Sequence, residues 1–245
     1  MFVFSYDEVH SAARFAVTDR FGGVSTAPYG ELNLGGSGED PERIAENFRR
    51  IAAAFGVEPE AVVRVSQVHG RDVHVVRPGD QLPADPTPTA DAIVTTRSDV
   101  VLAVRAADCL PVLLADSEQR VIGAAHSGRP GMYVGVVPAT VEAMRDLGAR
   151  NITAVLGPHA CGKCYEVPAE MRAEIAERVP ASYSETSWGT PAIDVAAGVK
   201  SQLDELGVEV IDATACTIES ENLYSYRREG KVSGRLAGLV KLAAE

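Results

Sequence analysis

Apolar residues fall in short runs broken by Gly, Pro and charge, and the period of those runs changes along the chain. Between Asp99 and Gly131 stand three runs of strand length, Val100–Arg105, Leu110–Ala115 and Val121–Ala125, each bounded by polar or turn residues. Runs apolar on both faces suit strands buried inside a layered domain. Similar runs predict strands at Phe2–Tyr6, Ala13–Thr18, Ala61–Val65, Val73–Val76, Ala90–Thr95, Ile152–Leu156 and Val208–Ile211, and a last short element at Leu236–Leu242. Glu39–Phe55 has a helical period instead: Ile44, Phe48, Ile51, Ala52 and Phe55 share a face, Asp40 can cap it, and Pro41 suits the first turn. Further helices are expected over about Met132–Leu147, Pro168–Arg178 and Ile193–Leu206. Strands and helices alternate irregularly, without the period of a doubly wound sheet, which predicts an α+β layered fold with mixed sheets. No repeat or linker interrupts the pattern, so residues 1–245 read as one domain.

Composition narrows the function. The chain is 46% hydrophobic and 23% charged, as for an ordinary globular protein, and is long enough to bury a sizeable core. A net charge of −11 and the lack of a basic stripe argue against nucleic acid as a partner. Acidity does not forbid a small phosphate-bearing ligand, which needs only one or two well-placed Arg or backbone donors. No apolar run is long enough to span a membrane, and the first residues lack the charged start and apolar stretch of a signal peptide. Four cysteines are too few for a disulfide scaffold, so a reducing cytoplasmic setting is expected.

Three groups of residues could carry chemistry. His69, Cys109 and His126 each follow an apolar run and are flanked by small or turn-forming residues. Two imidazoles and a thiolate suit Zn²⁺ and leave a fourth position for water or substrate, although spacings of 40 and 17 residues match no local zinc motif. The same residues could instead be a Cys109 nucleophile with a histidine base, or a buried thiol and two loop histidines. Cys161-Gly-Lys-Cys164 has a ligand or redox spacing, but Cys109 and Cys216 stand alone in sequence, and a structural or incidental role is expected. His159 is a further possible ligand; His10 and His74 are expected on the surface or in strand packing. Anion binders are Arg20, which opens the glycine-rich loop Asp19–Gly38; Asn47 with Arg49 on the following helix; Arg129 at a helix entry; and the basic stretch Tyr226–Arg235.

With these residues in place, the chain resembles the laccase-domain, or YfiH-like, family, once described as multicopper polyphenol oxidases. The matching motifs run in order over nearly the whole chain: Thr18-Asp-Arg-Phe-Gly-Gly-Val-Ser25, Leu32-Asn-Leu-Gly35, Asn47, Gln67-Val-His-Gly70, Ala90-Asp91, Ala107-Asp-Cys-Leu-Pro111, Ala125-His126, Gly157-Pro158, Tyr165-Glu-Val167, Ser225-Tyr-Arg-Arg228 and Gly234-Arg235. One departure stands out. Where the family reads His-Ala-Gly-Trp-Arg-Gly, this chain has His126-Ser-Gly-Arg-Pro-Gly131, without the Trp and with the Arg one place earlier.

The resemblance implies a layered α/β/β/α sandwich and zinc at His69, Cys109 and His126. It implies a purine nucleoside phosphorylase acting on adenosine, inosine, guanosine or methylthioadenosine with inorganic phosphate, and an adenosine deaminase side activity. Arg20 matches the family arginine that faces phosphate, and Asn47 and Arg129 join it as expected substrate or phosphate binders. For deamination the carboxylate nearest in sequence is Asp108, but neighbouring strand residues point to opposite faces, so it receives no role. A monomer or small homo-oligomer is expected. The rivals are a copper-dependent polyphenol oxidase, since Cu²⁺ outcompetes Zn²⁺ at most such sites, a Cys-His hydrolase using Cys109, and a non-enzymatic nucleotide- or metal-binding module. A multicopper cluster needs many imidazoles, and the chain has five scattered histidines.

Overall fold

In a computed structural model that describes residues 1–7, 13–36, 38–83 and 86–243, the apolar runs become the strands of two mixed sheets. The chain opens with β1 (Phe2–Asp7) and β2 (Ala13–Thr18), and helix α1 (Pro41–Phe55) follows the glycine-rich loop. Next come β3 (Val62–Val63), β4 (Val73–Val76), β5 (Ala92–Thr95), β6 (Val101–Ala106), β7 (Leu110–Asp116) and β8 (Val121–Ser127). Helices α2 (Arg129–Val134) and α3 (Val136–Asp146) precede β9 (Thr153–Leu156), α4 (Ala169–Arg178), β10 (Tyr183–Glu185) and β11 (Pro191–Ile193). The remaining elements are α5 (Val195–Glu205), β12 (Glu209–Asp212), α6 (Tyr226–Glu229) and β13 (Leu236–Leu242).

The first sheet has the order β1-β2-β13-β6-β3, parallel only between β6 and β3. The second has the order β12-β9-β7-β8-β5-β4, parallel at its two edges and antiparallel between. Alternation of side chains sorts each strand between two apolar layers. On β6, Leu102 and Val104 face the second sheet while Val101 and Ala103 face α1. On β7, Leu113 faces the first sheet, and Val112 and Leu114 face the helices α3 and α5. The result is four layers: α1, the first sheet, the second sheet, and the helices that follow β8. The expected α/β/β/α arrangement is present, and the apolar runs lack a polar face because both faces are covered.

Helix α1 begins and ends as its residues dictate. Asp40 accepts a hydrogen bond from the Glu42 N–H at 2.9 Å, Pro41 opens the helix, and Gly56 closes it at φ 65°. The single helix expected over Met132–Leu147 is instead two. Gly135, at φ 84°, leaves the helical region and separates α2 from α3. Ile193 belongs not to α5 but to the β10–β11 hairpin, and Asp194 caps α5 by accepting from the Ala197 N–H at 2.9 Å. Among the described residues, no helix is long and apolar enough to cross a membrane.

Candidate functional site

Three strand ends and the loops that leave them meet at one point. His69 lies in the loop before β4, Cys109 in the bend between β6 and β7, and His126 near the end of β8. Their ligand atoms lie within 4.8 Å of one another. Cys109 Sγ is 3.7 Å from His69 Nε2, and the two imidazole rings meet edge to face with centroids 4.8 Å apart. His126 is buried, Cys109 half-buried and His69 exposed. Gly128 makes room for the cluster: a Cβ there would sit 2.8 Å from Cys109 Sγ and 3.0 Å from His69 Cδ2.

The backbone is held in uncommon conformations to bring these side chains together. His69 has φ 61° and Asp108 has φ 86°, in the left-handed region that non-glycine residues rarely occupy. Asp91, fully buried at the start of β5, holds the His69 turn. Its carboxylate accepts from the backbone N–H groups of Val68, His69 and Gly70 at 3.1, 2.9 and 2.7 Å. The same carboxylate accepts from His126 Nδ1 at 2.9 Å, which turns Nε2 toward Cys109. Asp91 therefore orients the His126 imidazole, the usual task of a carboxylate behind a metal-binding histidine, and fixes the backbone turn that carries His69.

Electrostatics favours a thiolate. Burial alone would raise the Cys109 thiol, but His126 and then His69 outweigh it and bring the pKa down to about 6. Burial alone would lower His126; Cys109 and Asp91 together raise it to about 9. For Asp91, burial pushes the carboxyl up, and the hydrogen bonds from His126, Gly70 and Val68 hold it below the usual carboxylate range. The donor set fits zinc. A tetrahedral ion with ordinary Zn–S and Zn–N lengths separates sulfur from nitrogen by about 3.6 Å, close to the 3.7 Å between Cys109 and His69. Three protein donors leave a fourth coordination position.

A cavity of about 450 Å³ opens over the cluster, and its lining includes His69, Cys109 and His126. Four arginines, Arg105, Arg129, Arg227 and Arg235, also line it, together with Tyr165 and Tyr226. Among the described residues none of the four arginines is within ion-pairing distance of a carboxylate, whereas Arg20, Arg97 and Arg228 each are. Burial lowers the Arg105 pKa, and the neighbouring cations Arg64 and Arg235 lower it further. An anion placed there would relieve this crowding of like charge.

Of the expected anion binders, Arg129 is on the cavity wall, as are Tyr226, Arg227 and Arg235 of the basic stretch Tyr226–Arg235. Arg20 does not line the cavity: its guanidinium pairs with Glu229 at 3.0 Å, donates to the Glu221 carbonyl and lies over the Tyr224 ring. Asn47 is fully buried away from it. Its side chain donates to Ser25 Oγ and the Glu31 and Asn33 carbonyls and accepts from the Val24 N–H, pinning the glycine-rich loop to α1. Arg49 pairs with Glu46 on the same helix.

Asp108 corrects another expectation. It does line the cavity beside Cys109, because the two lie in a bend and not in a strand. Its carboxylate oxygens accept from Thr217 Oγ1 and the Arg227 N–H, each at 2.7 Å. His159 is buried elsewhere, with Nδ1 3.2 Å from the Gly157 carbonyl, and burial lowers its pKa. His74 sits on β4, where burial likewise lowers it, and His10 lies outside the described residues. Cys216 does not stand alone: with Glu219 it joins Cys161 and Cys164 in a second group of possible ligands. Sequence reasoning gave no site role to Asp91 or Arg105. Asp91 stands in the motif Ala90-Asp91, and Arg105 is the one charge in an apolar run, a signal that could have found it.

Comparison with known proteins identifies relatives of the whole chain. A family model described as multi-copper polyphenol oxidoreductase laccase matches residues 14–243. Purine nucleoside phosphorylase ORF3 of Streptomyces griseus is 56% identical over 238 residues, 96% of this chain and 96% of its own length. Purine nucleoside phosphorylase YfiH of Escherichia coli is 37% identical over 230 residues, 91% of each. The crystal structure of the Neisseria meningitidis protein NMB0706 superposes with a TM-score of 0.84 at 30% identity, covering 99% of both chains. By sequence and fold, the chain belongs to the laccase-domain, YfiH-like family.

Proposed function

We propose that this protein is a zinc-dependent purine nucleoside phosphorylase, with the reaction in the cavity over His69, Cys109 and His126. The observation that carries the reading is the pairing of a His-Cys-His cluster with four arginines that, among the described residues, have no carboxylate partner, around one cavity. The names of the relatives point the same way.

In phosphorolysis a phosphate oxygen forms a bond to ribose C1′, the bond from C1′ to the purine nitrogen breaks, and the purine leaves with that electron pair and takes up a proton. The transition state is oxocarbenium-like, so a fixed anion beside C1′ contributes through position and charge. In this reading Arg105, Arg129 and Arg235 hold phosphate by charge-assisted hydrogen bonds. Arg129 and Arg235 are expected binders that remain, and Arg105 takes the part assigned to Arg20 and Asn47. Tyr165 and Tyr226 offer aromatic surface for the base. Bound at His69, Cys109 and His126, a zinc ion would supply Lewis-acid polarisation of a substrate oxygen.

Deamination of adenosine is proposed only as a side activity, because the nearby carboxylate of Asp108 is already bound by Thr217 and Arg227. The low thiol pKa of Cys109 supports one rival, a hydrolase with Cys109 as nucleophile. Arg105→Ala separates these readings. It is expected to raise the KM for phosphate at least tenfold, since a charge-assisted hydrogen bond contributes roughly 1.5–3 kcal/mol, with metal content unchanged. A chelator is expected to abolish turnover. Activity that survives chelation but not thiol alkylation would favour the hydrolase.

A further inference from the structure

A second cluster of donors lies outside the cavity, in two short turns that the chain brings side by side. One turn is Cys161-Gly-Lys-Cys164, closed by the Cys164 and Tyr165 N–H groups on the Cys161 carbonyl, both at 2.9 Å. The other is Cys216-Thr-Ile-Glu219, closed by the Ser220 N–H on the Cys216 carbonyl at 3.1 Å. A bridge between His159 and Cys216 aligns them, with the His159 N–H on the Ala215 carbonyl at 3.0 Å and the Thr217 N–H on the His159 carbonyl at 2.9 Å. Each turn thus presents two donors three residues apart, the arrangement of a metal-binding knuckle.

The geometry points to a second, structural metal site in which Cys161, Cys164, Cys216 and Glu219 hold one divalent ion of the zinc class. The four donor atoms lie within 4.8 Å of one another, and Cys164 Sγ is 3.4 Å from Glu219 Oε1. Tetrahedral zinc with ordinary Zn–S lengths spaces its sulfurs about 3.8 Å apart, so a small inward movement closes the cage. Three soft thiolates select zinc over magnesium or calcium, and four protein donors make a closed site without an open position.

Both turns are braced from behind. A Cβ on Gly162 would lie 2.7 Å from Asp194 and 2.8 Å from Ser184 Oγ, and Ser184 Oγ donates to the Gly162 carbonyl at 2.9 Å. Arg228 donates to the carbonyls of Thr217, Ile218 and Ser220 at 2.5, 3.1 and 2.9 Å. A disulfide between Cys161 and Cys164 would leave Cys216 and Glu219 without a purpose in the same pocket of space. The ion ties together the turn before Tyr165 and the turn that holds Asp108 through Thr217, so it straps one wall of the cavity.

The test is elemental analysis of the purified protein under reducing conditions, with a His69→Ala/His126→Ala variant to empty the first cluster. The proposal expects one zinc ion per chain in that variant, lost again when Cys161→Ser/Cys164→Ser is added. Where the cysteine variant does not fold, Glu219→Gln keeps the three thiols. In the His69→Ala/His126→Ala background it is expected to weaken zinc at least tenfold in competition with a chromophoric chelator. Cobalt in place of zinc in that background is expected to show intense sulfur-to-metal charge-transfer absorption. No metal in the His69→Ala/His126→Ala variant, with Cys161, Cys164 and Cys216 all open to a thiol reagent or with Cys161 and Cys164 disulfide-bonded, would overturn the proposal.

Discussion

At the scale of single residues, the site depends most on a side chain that does not line the cavity. Asp91 is fully buried and accepts four hydrogen bonds that fix the His69 turn and the His126 ring. Asp91→Asn replaces one accepting oxygen with a donor and removes the charge that orients His126. It is expected to weaken zinc at the first cluster by about 10–100-fold, measured by competition with a chelator, while Cys109→Ala should remove that zinc altogether. His69, Cys109 and His126 are legible in the sequence because each is a reactive side chain at the end of an apolar run, where strands hand over to loops. Asp91 is not, because a carboxylate beside a strand gives no sign that three backbone N–H groups from another loop will converge on it. Arg20 and Asn47 stand apart: their glycine-rich setting suggests a ligand, whereas in the structure Asn47 pins that loop to α1 and Arg20 ties it to Glu221 and Glu229.

At the scale of elements, the strands that carry the site are kept in register by buried polar ties at their far ends. Asp116 closes β7. One of its oxygens accepts from the Glu118 and Gln119 N–H groups at 3.0 and 2.9 Å, the other from those of Arg150 and Asn151 at 2.6 and 2.8 Å. Burial alone would raise this carboxyl, but the four N–H groups outweigh it and hold the pKa below its ordinary value. A carboxyl depressed by folding stabilises the protein fully above the unfolded value of about 4, and that contribution is lost as the pH falls through the folded value. Stability is therefore expected to fall below about pH 4. Asp116→Asn is expected to cost roughly 2–3 kcal/mol at neutral pH and to flatten the acid slope, as read by denaturant unfolding at several pH values. The elements themselves are legible from their apolar period. Their order in the sheets is not: β13, which reads as a last short run, lies between β2 and β6, a pairing of residues about as far apart in sequence as the chain allows. The Gly135 break is likewise hidden, because a glycine within an otherwise helical stretch does not reveal its φ.

At the scale of the whole molecule, the two sheets must approach closely enough for the bend between β6 and β7 to reach the other strand ends. Pro111, two residues after Cys109, faces the first sheet where Gly238 lies on β13. A Cβ at Gly238 would sit 2.7 Å from the Pro111 Cβ and 3.1 Å from Leu113. Gly238→Ala forces the sheets apart locally and is expected to cost about 1–3 kcal/mol, seen as a Tm lowered by roughly 2–4 °C for each kcal/mol. Charge also acts at this scale. The chain carries a net charge of −11, yet four arginines that have no carboxylate partner among the described residues are gathered in one cavity, so the attraction for an anion is local. The KM for phosphate is accordingly expected to rise with added salt.

In the proposed reaction phosphate, drawn into this cavity, displaces a purine from its ribose. The most direct measurement follows inosine with the purified, zinc-loaded protein in the presence and absence of inorganic phosphate. Free base and ribose 1-phosphate are expected in equal amounts, only when phosphate is present, and none with Cys109→Ala. Release of base without phosphate, or no release alongside oxidation of phenols by a copper-loaded protein, would contradict it.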